Sequence, residues 1–468
     1  MSEKTNSVLR GSLRATTGLV VLAVSAAAVL VLGTAPLPTI ERSPVALTVD
    51  TMQGAERDIV CAGAFAVLGA DPTRPSVSIP IGEAAVTVAG TLTTQGELLR
   101  QEAGGTAPQV LGVPAGDRFA AAQTQSVSTD TLRGLSASAC AEPANEQWLV
   151  GGATTLGITT TVNLGNPSAV PATVQLTVFD ENGAVDSQQT SGVLVPAGSD
   201  RVVSLNGYAP GREQLAVRIV STGAAVTATL GVAHVTELTS FAVDTATRQI
   251  APNATLVIPG LTNLSDHDHG PGDAGELDPF SVRFRVLAPG GESGTASVRA
   301  LFPDGSSEDL ATIEYGDAAV ADVPIAHWPE EANAAIITAV DPLVGGAFGS
   351  ADQGSEHDYA WFAPAPLLDA DSEIAVAVVP GGQLVLVNPG TEVAEVRIAD
   401  AAAEGDRAVE RLTVPAGGAV VAQAPASALV TSNAPIVMGV RLAAGGNIAG
   451  YPVIELNERA STITVFTR

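Results

Sequence analysis

Two short motifs recur along this chain in the same order, and they restrict its fold more than any other feature. Asn166-Pro167 is followed by the alternating apolar residues Val174, Leu176 and Val178, by a turn ending at Gly183, and by VPAG at 195–198. Asn388-Pro389 is followed at the same offsets by Val396 and Ile398, with Gly405 in place of Gly183, and by VPAG at 414–417. Each VPAG leads into a strand-like run, RVVSL at 201–205 or GAVVAQ at 418–423. Each copy then closes on a hairpin-like pair, LAVRIVSTGAAVTATLGVA or SALVTSNAPIVMGVRLA. A weaker copy lies between them. SVRFRVLAPGG at 281–291 leads into ASVRALFPDG, where Phe302 and Gly305 stand for Phe179 and Gly183, and AAIITAVDPLVGGAFGSA supplies the closing pair. Such repetition reads as an array of similar modules.

Inside the modules, alternation such as Val282, Phe284, Val286 is the period-2 pattern of a half-buried strand. Asn, Asp, Gly and Pro punctuate these runs in the manner of a β-sandwich. With 48 Gly, 30 Pro and only 4% aromatic residues, the chain suits short strands and many turns better than a helical bundle. The expected fold is all-β: tandem immunoglobulin-like β-sandwich domains at 146–256, 257–356 and 357–468, after a β-rich unit at 57–145. Within that first unit, SVSIPI and AAVTVAGTL are strand-like, and the Gln-, Ala- and Ser-rich stretch 95–138 reads as softer. A β-propeller is the architectural alternative; three visible copies of this length are too few and too long for ordinary blades.

Residues 1–16 are polar and carry Lys4, Arg10 and Arg14, whereas 17–37 is apolar and uncharged. About twenty such residues, at a rise of 1.5 Å each, match a hydrocarbon core of roughly 30 Å. A single N-terminal transmembrane helix is therefore expected, with a cytoplasmic N-terminus at 1–16, a linker at 38–56 and the rest of the chain outside the cell membrane. Gly33 and Ala35 resemble a peptidase site, but Pro36 would follow the cut, so an uncleaved signal anchor is preferred to a removed signal peptide. In an exported chain the two cysteines, Cys61 and Cys140, are expected to form a disulfide, stabilising by roughly 4–5 kcal/mol in the chain-entropy account. The formal charge of −27 repels phosphate backbones and argues against nucleic acid as a partner.

Candidate chemistry is sparse. The loop SDHDHGPGD brings Asp266, His267, Asp268 and His269 together, residue types that bind Zn²⁺ or Ca²⁺. Glu356, His357 and Asp358 would add ligands if the two loops meet. A histidine pair two residues apart does not fix a tetrahedral site, and the simpler reading is an exposed polar loop, so no cofactor is expected apart from a divalent cation there. No nucleophile elbow, zinc-protease helix motif or phosphate loop is present. Asp369 and Asp371 form a carboxylate pair of the kind glycosidases use, but in a chain with 49 acidic residues such pairs are ordinary. No catalytic residue is assigned, and the protein is expected not to be an enzyme. Trp148 and Trp361 open equivalent units and are expected in the core, as is His234. Trp328, in the polar stretch AHWPEE, is the candidate ligand platform.

The motif RDIVCAG around Cys61, QWLVGG at 147–152 with its echo AWFAPA at 360–365, and LVNPG at 386–390 carry a resemblance. They resemble an actinobacterial family of exported, membrane-anchored proteins of unknown function, often labelled large extracellular alpha-helical proteins, a label at odds with the β pattern here. Genes of that family typically lie near cell-envelope glycosyltransferase genes, which implies an envelope role and carries no catalytic residues with it. The expected function is a non-enzymatic, membrane-anchored extracellular scaffold or interaction module that contacts an envelope protein. The alternative is a cell-wall glycan-binding accessory to envelope assembly, and a metal-dependent or carboxylate-based hydrolase is the third reading.

Overall fold

The period-2 runs become strands, and each repeat contributes eight. The computed structural model describes residues 19–27, 30, 46–50 and 462–466, and a body from Glu56 to Glu455 with short stretches left out, the longest 265–279. Met1–Thr51 and Ala460–Arg468 form one unit, in which Ala46–Asp50 pairs antiparallel with Thr462–Phe466. Residues 19–27 of this unit are helical. Among the described residues no helix is long and apolar enough to cross a membrane.

The body, Met52–Arg459, is the second unit. Its first repeat has strands Glu146–Val150, Ile158–Asn166, Ala172–Asp180, Val193–Val195, Ser199–Ser204, Ala216–Thr222, Thr227–Thr236 and Thr239–Ala246. Counted in order, these make one sheet 1-6-3-4, which also carries the two-residue piece Gly183–Ala184, and a second sheet 5-2-7-8. The third repeat, from Glu373–Ala377 to Asn447–Pro452, has the same two orders. In the middle repeat the sixth and seventh strands are fused into Ala334–Gln353, whose first half pairs with Asn253–Pro259 and Gly294–Leu301 and whose second half pairs with Arg283–Leu287 and Glu356–Phe362. The orders are again 1-6-3-4 and 5-2-7-8. Immunoglobulin domains order their strands A-B-E-D and C-F-G, so these two-sheet units differ from that expectation in strand order.

The sequence pairs that read as closing hairpins are arches in repeats one and three, and a single strand in the middle repeat. In the first repeat Ala216–Thr222 joins one sheet and Thr227–Thr236 the other, with Gly223 (φ +86°) at the crossing. Alternation around a Gly- or Asn-containing turn is common to hairpins and arches, and only the partner strands distinguish them. VPAG marks a second arch, between the fourth and fifth strands. The asparagine of each Asn-Pro motif ties the two motifs together. Asn166 Nδ2 donates to the carbonyls of Val170 (2.9 Å), Val195 (3.1 Å) and Pro196 (3.1 Å). Asn388 Nδ2 donates to Glu392 (2.7 Å) and Val414 (3.1 Å), while its Oδ1 accepts from the Gly390 N–H. The middle repeat has Ala288 before Pro289 and lacks this tie, which is why its motif is faint.

The N-terminal unit also has eight strands, from Arg57–Cys61 to Arg133–Ala139. It keeps the 1-6 and 7-8 pairings, but its sheets are 1-6-5, 2-3 and 4-7-8. Where the repeats pair strands 2 and 7, buried glutamines bridge the gap. Gln123 exchanges both amide hydrogen bonds with the backbone of Gly63 (2.9 and 3.0 Å), and Gln125 accepts from Phe65 N–H and donates to Ile81 O. The stretch that read as soft is thus strand, with glutamines spent on backbone.

The units close into a ring instead of forming a string. The first sheet of repeat one packs Trp148, Val150 and Phe179 against Leu287 and Val344 of repeat two. That of repeat two packs Val257, Leu301 and Ile336 against Val385, Val387 and Val437 of repeat three. Repeat three packs against Ala89, Ala122 and Ala137 of the N-terminal unit, whose Phe65 and Val127 meet Ala233 and Val243 of repeat one. Four eighth strands therefore meet around one axis. Each repeat contributes two sheets to this ring.

Candidate functional site

The axis is built from Arg133–Ala139, Thr239–Ala246, Glu356–Phe362 and Asn447–Pro452, each packed against the next and the last against the first. Each of these strands also completes the core of the preceding unit. Val243 joins the N-terminal unit's Phe65 and Leu132. Tyr359 and Trp361 join the core of repeat one, Ile448 that of repeat two, and Ala137 that of repeat three. Each unit thus lacks part of its own core until its neighbour is in place. A large buried apolar side chain contributes roughly 1.5–3 kcal/mol, so the Tyr359 and Trp361 contacts make a substantial interlock.

Polar bonds follow the same circle. Asp244 Oδ2 accepts the Trp361 N–H at 2.7 Å. Asp358 Oδ2 accepts from Leu135 (2.9 Å) and Ile448 (3.2 Å), and its Oδ1 from Tyr359 (3.0 Å). Ser136 and Thr245 share a hydroxyl bond of 2.7 Å. Gly134 (φ +144°) permits this closeness: a β-carbon there would lie 2.6 Å from both Asp358 Oδ1 and Val243 N. Asp244 and Asp358 are both fully buried. Burial pushes Asp244 up to about 7, outweighing the N–H bonds from Trp361 and Thr245. Burial likewise holds Asp358 well above the carboxylate range despite its three N–H bonds, and the nearby Asp244 adds to the shift. Burial, then these two carboxylates, raise the Tyr359 phenol. A carboxylate whose oxygens are engaged by backbone N–H groups of neighbouring units positions strands; it is poorly placed to take a substrate proton.

A second cluster secures repeats one and two. Arg285 donates to the carbonyls of Gly152 (2.6 Å) and Glu213 (3.2 Å), pairs with Asp322 at 2.9 Å, and lies 4.4 Å from the centre of the Trp361 ring. A β-carbon at Gly151 would stand 2.8 Å from that ring. QWLVGG and AWFAPA therefore touch: Trp148 opens repeat one, whereas Trp361 lies in the last strand of repeat two and does not open repeat three.

Of the residues singled out from sequence, Asp266, His267, Asp268 and His269 lie outside the described residues. Glu356, His357 and Asp358 separate to three tasks. Glu356 pairs with Arg133 at 2.8 Å, His357 stacks on Phe241 with centroids 4.8 Å apart, and Asp358 sits in the axis. Among the described residues no group of three or more His, Cys, Asp or Glu could hold a metal ion. The ligand-platform reading of Trp328 is corrected. It is 6% exposed and packs in the core of repeat two with its ring 6.4 Å from Phe284, because Ile325 and Ala332 on either side turn this polar-looking stretch inward. His234 is packed by Phe241 and Tyr359, and burial lowers it to about 4. Cys61 and Cys140 are disulfide-bonded.

The outer face of the 1-6-3-4 sheet in repeat three carries an open groove of about 500 Å³. Asp371, Glu395, Arg397, Arg411, Thr413, Thr431 and Asn433 line it. Sequence reading noticed only Asp371 of these. Asp244 and Arg285 were missed too, and Asp358 was read only as a metal ligand, although a charge inside an apolar strand (FAVDTA, HDYAWF, RFRVL) is the signal that marks them.

The fold and its axis define a cyclic all-β array held together by exchanged core residues. A family model covers residues 98–425, and the chain belongs to that family, described as a family of unknown function (DUF5719). Comparison with curated proteins and with solved structures gave no match.

Proposed function

We propose that this protein is a non-enzymatic scaffold of the cell envelope, anchored by its apolar segment 17–37 and presenting the ring outside the membrane to another envelope component. The observation that carries the reading is the cyclic exchange of core residues. A rigid closed body results, and its buried acids are committed to holding strands. The buried disulfide suits an oxidising compartment, and the arginines before segment 17–37 suit a cytoplasmic N-terminus. The resemblance to exported actinobacterial proteins points the same way.

The test is fractionation of cells expressing the full chain. Retention in the membrane through an alkaline carbonate wash, with the body open to external protease only after the envelope is breached from outside, supports the reading. Recovery in the cytosol with Cys61 and Cys140 reduced would sink it. The glycan-binding reading stands second, favoured by the polar groove on repeat three.

A further inference from the structure

Arg397 and Arg411 sit directly opposite each other on antiparallel strands, the register pairing Arg397 with Arg411 on one side and with Thr431 on the other. Directly opposed residues share a face, and like charges in that position are unfavourable. The arrangement stands out in a chain with 22 basic against 49 acidic residues. Both guanidiniums line the groove on repeat three, Arg411 is exposed, and among the described residues Arg411 makes no ion pair or hydrogen bond. A volume of about 500 Å³ falls in the range of roughly 300–1,000 Å³ typical of ligand clefts.

The rest of the lining limits what two arginines can attract. Thr413, Thr431 and Asn433 offer hydroxyl and amide groups, while Glu395 and Asp371 place carboxylates in the same groove. Asn433 is oriented by accepting the Glu395 N–H at 2.8 Å, and Asp371 by donating its N–H to Ser432 O at 2.7 Å. Those carboxylates accept hydrogen bonds from hydroxyls and repel a chain of successive negative charges. Among the described residues that line the groove none is aromatic, so none offers a face for stacking a neutral sugar.

We propose that this groove binds an acidic glycan, with the Arg397–Arg411 pair clamping the carboxylate of one uronic acid residue and Glu395, Asp371, Thr413, Thr431 and Asn433 taking the hydroxyls around it. A guanidinium fork matches a carboxylate bidentately. The site gives the second functional reading a specific ligand and does not depend on the membrane anchor, so its failure leaves the scaffold reading untouched.

The experiment is titration calorimetry on the full chain in detergent with three probes: a hyaluronan tetrasaccharide, chitotetraose and hexaglutamate. Saturable binding of the hyaluronan fragment alone is expected, weakened tenfold or more by Arg411→Gln and again by Arg397→Gln. Arg74→Gln, in the N-terminal unit and outside the groove lining, should leave binding unchanged. Arg411→Gln relieves the like-charge contact with Arg397, so the melting temperature of that variant should hold or rise, which separates lost binding from lost folding. Absence of hyaluronan binding, equal binding by the arginine variants, or equal binding of chitotetraose or hexaglutamate would each overturn the proposal.

Discussion

Replacing Asn388 by alanine should cost repeat three about 2–3 kcal/mol. The side chain is fully buried. It satisfies the carbonyls of Glu392 and Val414 and the N–H of Gly390. Glu392 and Gly390 are exposed and can turn to water, so their loss is small. Val414 is fully buried, and its carbonyl faces the full desolvation penalty of roughly 1–3 kcal/mol. Freeing the turn it organises adds a smaller amount. Aspartate in the same place should be worse than alanine, because it sets a buried acceptor against two carbonyl oxygens.

The size of the thermal shift then reports whether the ring melts as one body. Unfolding entropy is roughly 2.1 cal/mol/K per residue. A loss of about 3 kcal/mol lowers the midpoint of a cooperative body of about 400 residues by only about 4 °C, but that of a lone unit of about 90 residues by about 15 °C. Calorimetry of the full chain, with hydrogen exchange followed at 383–387 and 419–422, distinguishes the two. The exchanged cores favour the small shift. A loss under about 0.5 kcal/mol for Asn388→Ala, or an Asn388→Asp variant no weaker than the alanine one, would refute the reasoning.

Asp244, raised from 3.8 to about 7 in the folded chain, contributes stability that is complete below about pH 4 and lost as the pH rises through 7, up to about 4 kcal/mol. Asp244→Asn keeps an acceptor for the Trp361 N–H and should flatten that part of the stability–pH curve in urea titrations; an unchanged curve would contradict the assignment. Trp328→Ala should cost about 3–5 kcal/mol as a core deletion, read as a fall in melting temperature, and a neutral result would return Trp328 to the surface. Gly134→Ala must displace Asp358 or the backbone at Val243, so exchange at Leu135, Ile448 and Trp361 amides should quicken while the centre of repeat three stays protected.

How much of this was legible follows from where each signal lies. Strand alternation is local, so the all-β class and the motifs of repeats one and three could be read directly. The Asn-Pro and VPAG motifs were visible as repetition because Asn166 and Asn388 do the same job, and the middle copy was faint because Ala288 cannot do it. Which strand pairs with which is not local. The run at 215–233 reads the same whether its halves share a sheet or separate into two, and the hairpin expectation failed there. Trp328 failed for a related reason. Its immediate neighbours are polar, but burial is decided by Phe284, more than forty positions away in sequence.

The eighth strands show why ring closure was invisible to a module-by-module reading. Residues 357–362 read as the start of repeat three, because AWF echoes QWL. The hydrogen bonds of Glu356–Phe362 belong to repeat two, its Trp361 and Tyr359 to the core of repeat one, and its Asp358 to the backbones of repeat three and the N-terminal unit. One seven-residue strand thus serves all four units. A stalk of self-sufficient sandwiches would need no such strand, since each module would complete its own core. The N-terminal unit bears this out from the other direction. With three small sheets in place of two four-stranded ones, it is the most divergent member, yet its eighth strand keeps Gly134 against Asp358 and Ser136 against Thr245. The contacts retained there are the ones that close the circle.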